Sequence, residues 1–460
     1  MAFSSSLPPL RLLETSQISP AQGSIPQTSL PLTFFDVLWL AAGPVERLFF
    51  YPFPHTTSHF ICSFLPTLKS SLSTTLQTFF PLAGTLRPIP GNDFKFELCY
   101  SDGDSISLTV AECVDGGFDI LSGSDAREIS NLRPFLPQLQ KLGDSSSLLA
   151  IQVTVFPGDG VVIGTAVHHA ACDGSSSIRF MHSWASACRT GCSAAESNMP
   201  IFDRSLIPDP RGLYTIMAEF ILSIEQNKLP GLSEPDAVPA DLFLASFTLT
   251  QSHIKKLKEA VLSKADGKNN KSFHLSTFVV TLAYIWVGFV RVREHFSPGL
   301  RKEAHLGFAV DFRARMEPSI PAAYFGNCVS PCLLEAIDVG DLVGRDGLRV
   351  ASEAIGRAIE GLSVGLKRAH EWPTIFKQIM KEPLMTVAGS PKFRVYDVDF
   401  GWGRPEKVEI LSIEKSGAIS LAESWEDPGG IEIGFVLPKH EVEYVENYLA
   451  NGLKTLSDDL

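Results

Sequence analysis

Nothing in this 460-residue chain is apolar for long enough to cross a bilayer. The longest apolar run, residues 275–290 (LSTFVVTLAYIWVGFV), has 16 residues with Ser276 and Thr277 inside it, short of the about 20 that a spanning helix needs. It is expected to be a helix buried in a core. The first 30 residues carry several Pro and Ser and no continuous apolar core, so no secretory signal is expected. Positive charge is also short: 39 Lys and Arg stand against 51 Asp and Glu, a formal net charge of −12. That balance argues against a sequence-independent nucleic-acid binder and disfavours an anionic membrane surface, while leaving room for a small anionic ligand held by a few local cations. Eight Cys are spread over a length that needs no covalent staples, and they are expected to be reduced thiols in a cytoplasmic protein. The pairs Cys188/Cys192 and Cys328/Cys332 share a C-x3-C spacing, but no His lies close to either, so no metal is expected. No internal repeat is present.

At 45% hydrophobic and 20% charged residues, the composition is that of an ordinary globular protein, and the length favours two domains. Helical spacing of apolar residues marks 65–80, ended by Pro81, and 176–188. Alternation marks strands at 94–100 and 105–110. Two more, 148–156 and 161–167, are joined by the turn Pro157-Gly158-Asp159-Gly160. Residues 193–240, rich in Pro, Ser, Asp and Glu around a short helical piece at 214–224, form the expected crossover between an N-terminal domain, 1–192, and a C-terminal domain, 241–460. In the second domain, strands are expected at 245–249, 305–310, 408–413 and 430–436, with helices at 252–263, 276–290 and 441–453. The fold class is mixed α/β, each half with a sheet.

The run Val167-His168-His169-Ala170-Ala171-Cys172-Asp173-Gly174 stands out. A strand that ends on a His and turns on Asp-Gly delivers an imidazole to its end, where a rigid scaffold can hold it. Histidine titrates near working pH and is the natural general base for a hydroxyl. Taken one at a time, such residues are more often a partly buried His and an ordinary turn.

Together with Asp399-Phe400-Gly401-Trp402-Gly403 near the C-terminus, His169-x-x-x-Asp173 resembles the plant BAHD acyl-CoA-dependent acyltransferases, which are defined by HxxxD and DFGWG. Residues 30–36 (LPLTFFD), 80–84 (FPLAG) and 311–315 (DFRAR) look like landmarks of the same family, so the resemblance covers the whole chain. Residues 324–328 (YFGNC), with 30–36, look like the branch that acylates sugars of anthocyanins, flavonoids and other phenolic glycosides.

The resemblance implies two chloramphenicol-acetyltransferase-like domains with mixed sheets around a central solvent channel. It implies a monomer with no permanently bound cofactor, whose partners are a glycoside acceptor and an acyl-CoA co-substrate. Malonyl-CoA is favoured as donor, with hydroxycinnamoyl-CoA next. His169 is expected as general base in a direct transfer, and Asp173 is expected to turn away and pair with Arg313, holding the loop. Gly174 is expected to allow a tight turn. Asp399, Gly401, Trp402 and Gly403 are expected to shape the fold around the donor. Further candidates are Thr386 and Ser390 for the oxyanion, Lys271, Ser276 and Thr277 for the CoA phosphates at a helix start, and Arg179 for a malonyl carboxylate.

Several alternatives remain. Cys172 could form an acyl-enzyme, and His168 could be the base. An amine or a non-sugar hydroxyl could be the acceptor. Peptide-synthetase condensation domains share HHxxxDG, and a non-catalytic binder could keep this scaffold.

Overall fold

A computed structural model describes residues 10–114, 117–191, 199–225, 241–263, 273–362, 366–379 and 384–458. They fall into two compact units that are not consecutive halves of the sequence. The first comprises 1–230, 311–329 and 393–412, and the second comprises 231–310, 330–392 and 413–460.

The first unit is organised on a six-stranded mixed sheet in the order Arg11–Ile18, Ile106–Glu112, Leu149–Phe156, Gly160–Val167, Val45–Pro52, Lys407–Ile410. Leu149–Phe156 and Gly160–Val167 are buried along their whole length, which is why their sequences are almost continuously apolar rather than alternating. They form an antiparallel hairpin, Leu149 opposite Val167, across the expected Pro-Gly turn. Lys407–Ile410 pairs antiparallel with Val45–Pro52. This non-local pairing corrects the expected boundary: Asp399–Gly403 and the strand after it belong to the first unit, not to a C-terminal half. The strand expected over 408–413 stops at Ile410, and Ile413 opens a helical turn. A smaller five-stranded sheet of the unit runs in the order Thr28–Pro31, Asn92–Tyr100, Thr85–Ile89, Ser145–Ser147, Lys141–Leu142. The helix Leu65–Thr78 buries Leu65, Leu68, Leu72 and Leu76, the stripe that its spacing predicts.

The second unit carries a mixed sheet in the order Val329–Leu333, Glu303–Asp311, Leu384–Gly389, Ile419–Glu423, Ile431–Pro438, Leu242–Leu249. Its central pairings are parallel, and the flanking pairs at Ile431–Pro438 are antiparallel. The long apolar run is the helix Thr277–Phe296, with every residue from Val279 to Val290 buried. Among the described residues, no helix is long and apolar enough to cross a membrane.

Candidate active site

The strand Gly160–Val167 ends at His168, and His169–Ala171 forms one 3-10 turn before Cys172 returns to extended backbone. Asp173 then caps the helix Gly174–Thr190, its Oδ1 accepting from the Ser176 amide at 2.9 Å. The motif is therefore a strand end, a single turn and a capped helix. His169 and Asp173 occupy different structural roles within it.

The Asp173 carboxylate is buried and turned into the protein. Its Oδ2 meets the buried guanidinium of Arg313 at 2.8 Å and accepts from the Cys328 amide at 3.1 Å. Arg313 Nη2 donates to the carbonyls of Tyr324 and Gly326 and to Ser176 Oγ, at 3.1, 3.2 and 3.2 Å. Burial opposes the charge on Arg313, but Asp173 and then Asp311 outweigh it and raise the guanidinium further. The ion pair thus ties together the start of the helix Gly174–Thr190, the segment after Asp311 and the strip Tyr324–Cys328. The hydrogen bonds at its two Nη atoms meet most of what a buried charge requires, while its Nε is enclosed without a partner.

Gly174 does not serve a tight turn. It opens the helix with ordinary backbone, and its lack of a side chain matters for space: a Cβ there would come within 2.6 Å of the Phe393 ring.

His169 is half-buried, and the carboxylate of its motif, Asp173, is engaged by Arg313 instead. Nδ1 is enclosed and makes no hydrogen bond. Burial lowers its pKa below the ordinary value, while its own carbonyl, Asp173 and Asn327 act the other way. Burial thus favours the neutral imidazole, the form a base needs. One face of the ring is covered by the indole of Trp39, with centroids 3.8 Å apart and planes 7° from parallel. Its backbone carbonyl accepts from Asn327 Nδ2 at 3.0 Å, and the same Nδ2 donates to Asp36 Oδ1 at 3.0 Å. Trp39, Asp36 and Asn327 had no role in the sequence reading. Two of them lie in the 30–36 and 324–328 strings, but nothing in spacing alone ties either string to His169.

His168 is not placed like a base. Its Nδ1 accepts from the Ala170 amide at 3.2 Å, and its pKa falls to about 4, through burial and then the neighbouring His169. Cys172 is enclosed, and burial above all pushes its thiol far up, the opposite of an activated nucleophile. Arg179 lies on the same helix as Gly174 and donates to the Ala322 carbonyl. Its pKa is lowered by burial and by the nearby Arg313 cation.

Asp399 closes its own loop, Oδ1 accepting from the amides of Gly401 at 2.8 Å and Gly403 at 3.0 Å. Both glycines hold left-handed backbone. Trp402 stacks on Phe400 and sets its edge or face against Tyr51, Phe53, Phe60 and Phe64. This motif is a packing element of the first unit. In the second unit, Thr386 lies on the strand Leu384–Gly389, and Ser390 Oγ accepts from the Lys392 amide. Ser276 caps the helix Thr277–Phe296, and Thr277 Oγ1 accepts from Lys258 Nζ at 3.0 Å. Lys271 lies outside the described residues. Among the described residues, no group of three or more His, Cys, Asp and Glu is placed to hold a metal ion.

The sequence profile of the Transferase family matches residues 9–450. Phenolic glucoside malonyltransferase 2 of Arabidopsis thaliana is 36% identical, with 96% of this chain and 99% of that protein covered. Coumaroyl-CoA:anthocyanidin 3-O-glucoside-6''-O-coumaroyltransferase 1 of the same plant is 36% identical, with 97% and 98% covered. The crystal structure of vinorine synthase superposes with a TM-score of 0.69 at 21% identity, over 95% of this chain and 96% of that one. The fold is thus the chloramphenicol-acetyltransferase-like one. The two motifs, the profile match and the full-length relatives agree, and the chain belongs to the Transferase family of BAHD acyl-CoA-dependent acyltransferases.

Proposed function

We propose that the protein transfers an acyl group, malonyl first and hydroxycinnamoyl next, from its acyl-CoA co-substrate to a sugar hydroxyl of a phenolic or flavonoid glycoside, with His169 as the general base. The observation that carries the mechanism is the imidazole held in the turn that follows the strand end, with Asp173 turned away from it to Arg313. His169 removes the proton from the acceptor hydroxyl as its oxygen attacks the thioester carbonyl. The C–O bond forms, the tetrahedral adduct collapses, the C–S bond breaks, and the proton passes from His169 to the CoA thiolate. Because the thioester is already activated, what the protein must supply is positioning and this proton transfer, the latter typically worth about 10²–10⁴-fold.

The names of the two full-length relatives support both donor classes and the glucoside acceptor. Malonyl is placed first because burial and then the nearby Arg313 cation lower the Arg179 pKa, a setting that an added carboxylate would relieve. We extend the reading to a monomer in the cytoplasm; the seven described cysteines, none of them in a disulfide, suit a reducing compartment.

The test is release of free CoA thiol from malonyl-CoA, coumaroyl-CoA and acetyl-CoA with a phenolic or flavonoid glucoside, products being weighed by mass spectrometry. His169→Ala is expected to reduce kcat by at least about 10²-fold without lowering Tm. Near-normal turnover in that variant would remove His169 as the base, and release with no glycoside would remove the acceptor class.

A further inference from the structure

We infer that the short helix Phe34–Val37 and the turn after it form an orienting clamp on His169: Trp39 fixes the plane of the imidazole, and Asp36 fixes the backbone beneath it through Asn327. The inference rests on the reading of His169 as base and adds the residues that aim it.

A histidine ring must be held about two torsions. In a Ser-His-Asp triad the carboxylate on Nδ1 does this. Here Asp173 is committed to Arg313, and Nδ1 is enclosed without a partner, so no carboxylate on that nitrogen sets the tilt of the ring. What lies against the ring is the Trp39 indole, face to face at 3.8 Å and 7°. Two rings this close and this parallel leave no room for the imidazole to flip out of its plane. The indole face also suits the reaction. When His169 takes up the proton it becomes a cation lying over a π-system, a favourable contact that exists only after proton transfer begins.

The same turn of chain controls the backbone. Asp36 is fully buried, and its Oδ1 accepts from both the amide and the Nδ2 of Asn327, at 2.9 and 3.0 Å. Asn327 Nδ2 reaches on to the His169 carbonyl. Asp36 is itself locked, because Oδ2 accepts from the Thr33 amide and hydroxyl at 2.8 and 2.7 Å in a capping box. Asp36 and Trp39 are three residues apart, so one turn of chain sends the carboxylate toward the backbone and the indole toward the ring. Asp36 and Asn327 are positioning residues, acting through His169 without meeting substrate.

The experiment is steady-state kinetics of the full chain with Trp39→Phe, Trp39→Leu and Asn327→Ala, together with His169→Ala, using malonyl-CoA or coumaroyl-CoA and a phenolic glucoside. A second reading is the NMR spectrum of histidine-labelled protein, with the His169 resonance assigned by its loss in His169→Ala. Trp39→Leu is expected to lower kcat about 10- to 100-fold with KM for both substrates unchanged, and Trp39→Phe to restore most of it. Its His169 ring signal should move downfield as the ring-current shielding of the indole is lost.

An unchanged kcat in Trp39→Leu overturns the clamp, as does an unmoved His169 signal. A raised acceptor KM at normal kcat also overturns it, making Trp39 a binding surface. If His169→Ala stays active while Trp39→Leu still moves the ring signal, the base reading fails and the clamp on the imidazole stands. If neither donor is turned over, the ring signal alone decides.

Discussion

Asp173 shows how a residue that looks catalytic in a motif can be structural in the fold. A carboxylate four positions after a histidine invites a triad, yet its two oxygens are taken by Arg313, the Cys328 amide and the Ser176 amide. Asp173→Asn keeps an acceptor for the helix cap but leaves the buried Arg313 with only the more exposed Asp311 as counter-charge. It is expected to cost about 3 kcal/mol, near the low end for breaking a buried pair, read as a lower Tm and urea midpoint. An unchanged Tm with activity lost would instead mark Asp173 as acting on the reaction. The pairing of HxxxD with a distant arginine was available from the sequence only through resemblance, because 140 residues separate the two partners.

At the level of elements, the strip Tyr324–Cys328 is the organiser. Asp36 holds it at Asn327, Asp173 holds it at Cys328, and Arg313 holds its Tyr324 and Gly326 carbonyls. Gly326 sits at φ +153°, a conformation that side chains rarely adopt, and a Cβ there would lie 2.0 Å from Arg204 Nη1. That same nitrogen donates to the Tyr324 hydroxyl and the Phe325 carbonyl at 2.7 and 2.9 Å, so it is not free to withdraw. Gly326→Ala is expected to destabilise by about 2–4 kcal/mol, from backbone strain of about 1–3 together with overpacking. Because the strip carries Asn327 to the His169 carbonyl, kcat should fall even in the folded fraction at low temperature. Normal kcat there would show that the strip's position and the imidazole are uncoupled. The string was visible in the sequence as a landmark. Its function was not, since a five-residue strip with partners 155 and 291 residues away leaves no local periodicity.

For the whole molecule, stability should depend on pH through the paired histidines. His168 has a folded pKa of about 4 against an ordinary 6.5, so the unfolded chain binds the proton more tightly. The stability this neutral group supports is complete above about pH 6.5 and is lost as pH falls toward 4, with a limit on the order of 3 kcal/mol at about 1.4 kcal/mol per unit. His168→Asn keeps an acceptor for the Ala170 amide and removes the titration. The urea midpoint of the variant should therefore fall less than that of the parent protein between pH 7 and 4.5. Equal slopes would show that other groups dominate the acid limb.

By itself the sequence determined the elements whose burial is written locally. These are the apolar helix Thr277–Phe296, the hairpin of two buried strands ending just before His168, and the leucine stripe of Leu65–Thr78. Each follows from one stretch of residues having one way to hide its apolar face. Val45–Pro52 was not legible, because its short apolar run Leu48–Tyr51 has no distinguishing period and becomes a strand only between two partners. Tertiary structure alone decided that Lys407–Ile410 and the motif before it join the first unit, since strand pairing is fixed by register with a distant edge. It alone also decided that Trp39 covers the imidazole and that Asp36 and Asn327 hold its carbonyl. Those contacts depend on which surfaces meet after the chain has closed, and that is a property of the packed molecule rather than of any segment of it.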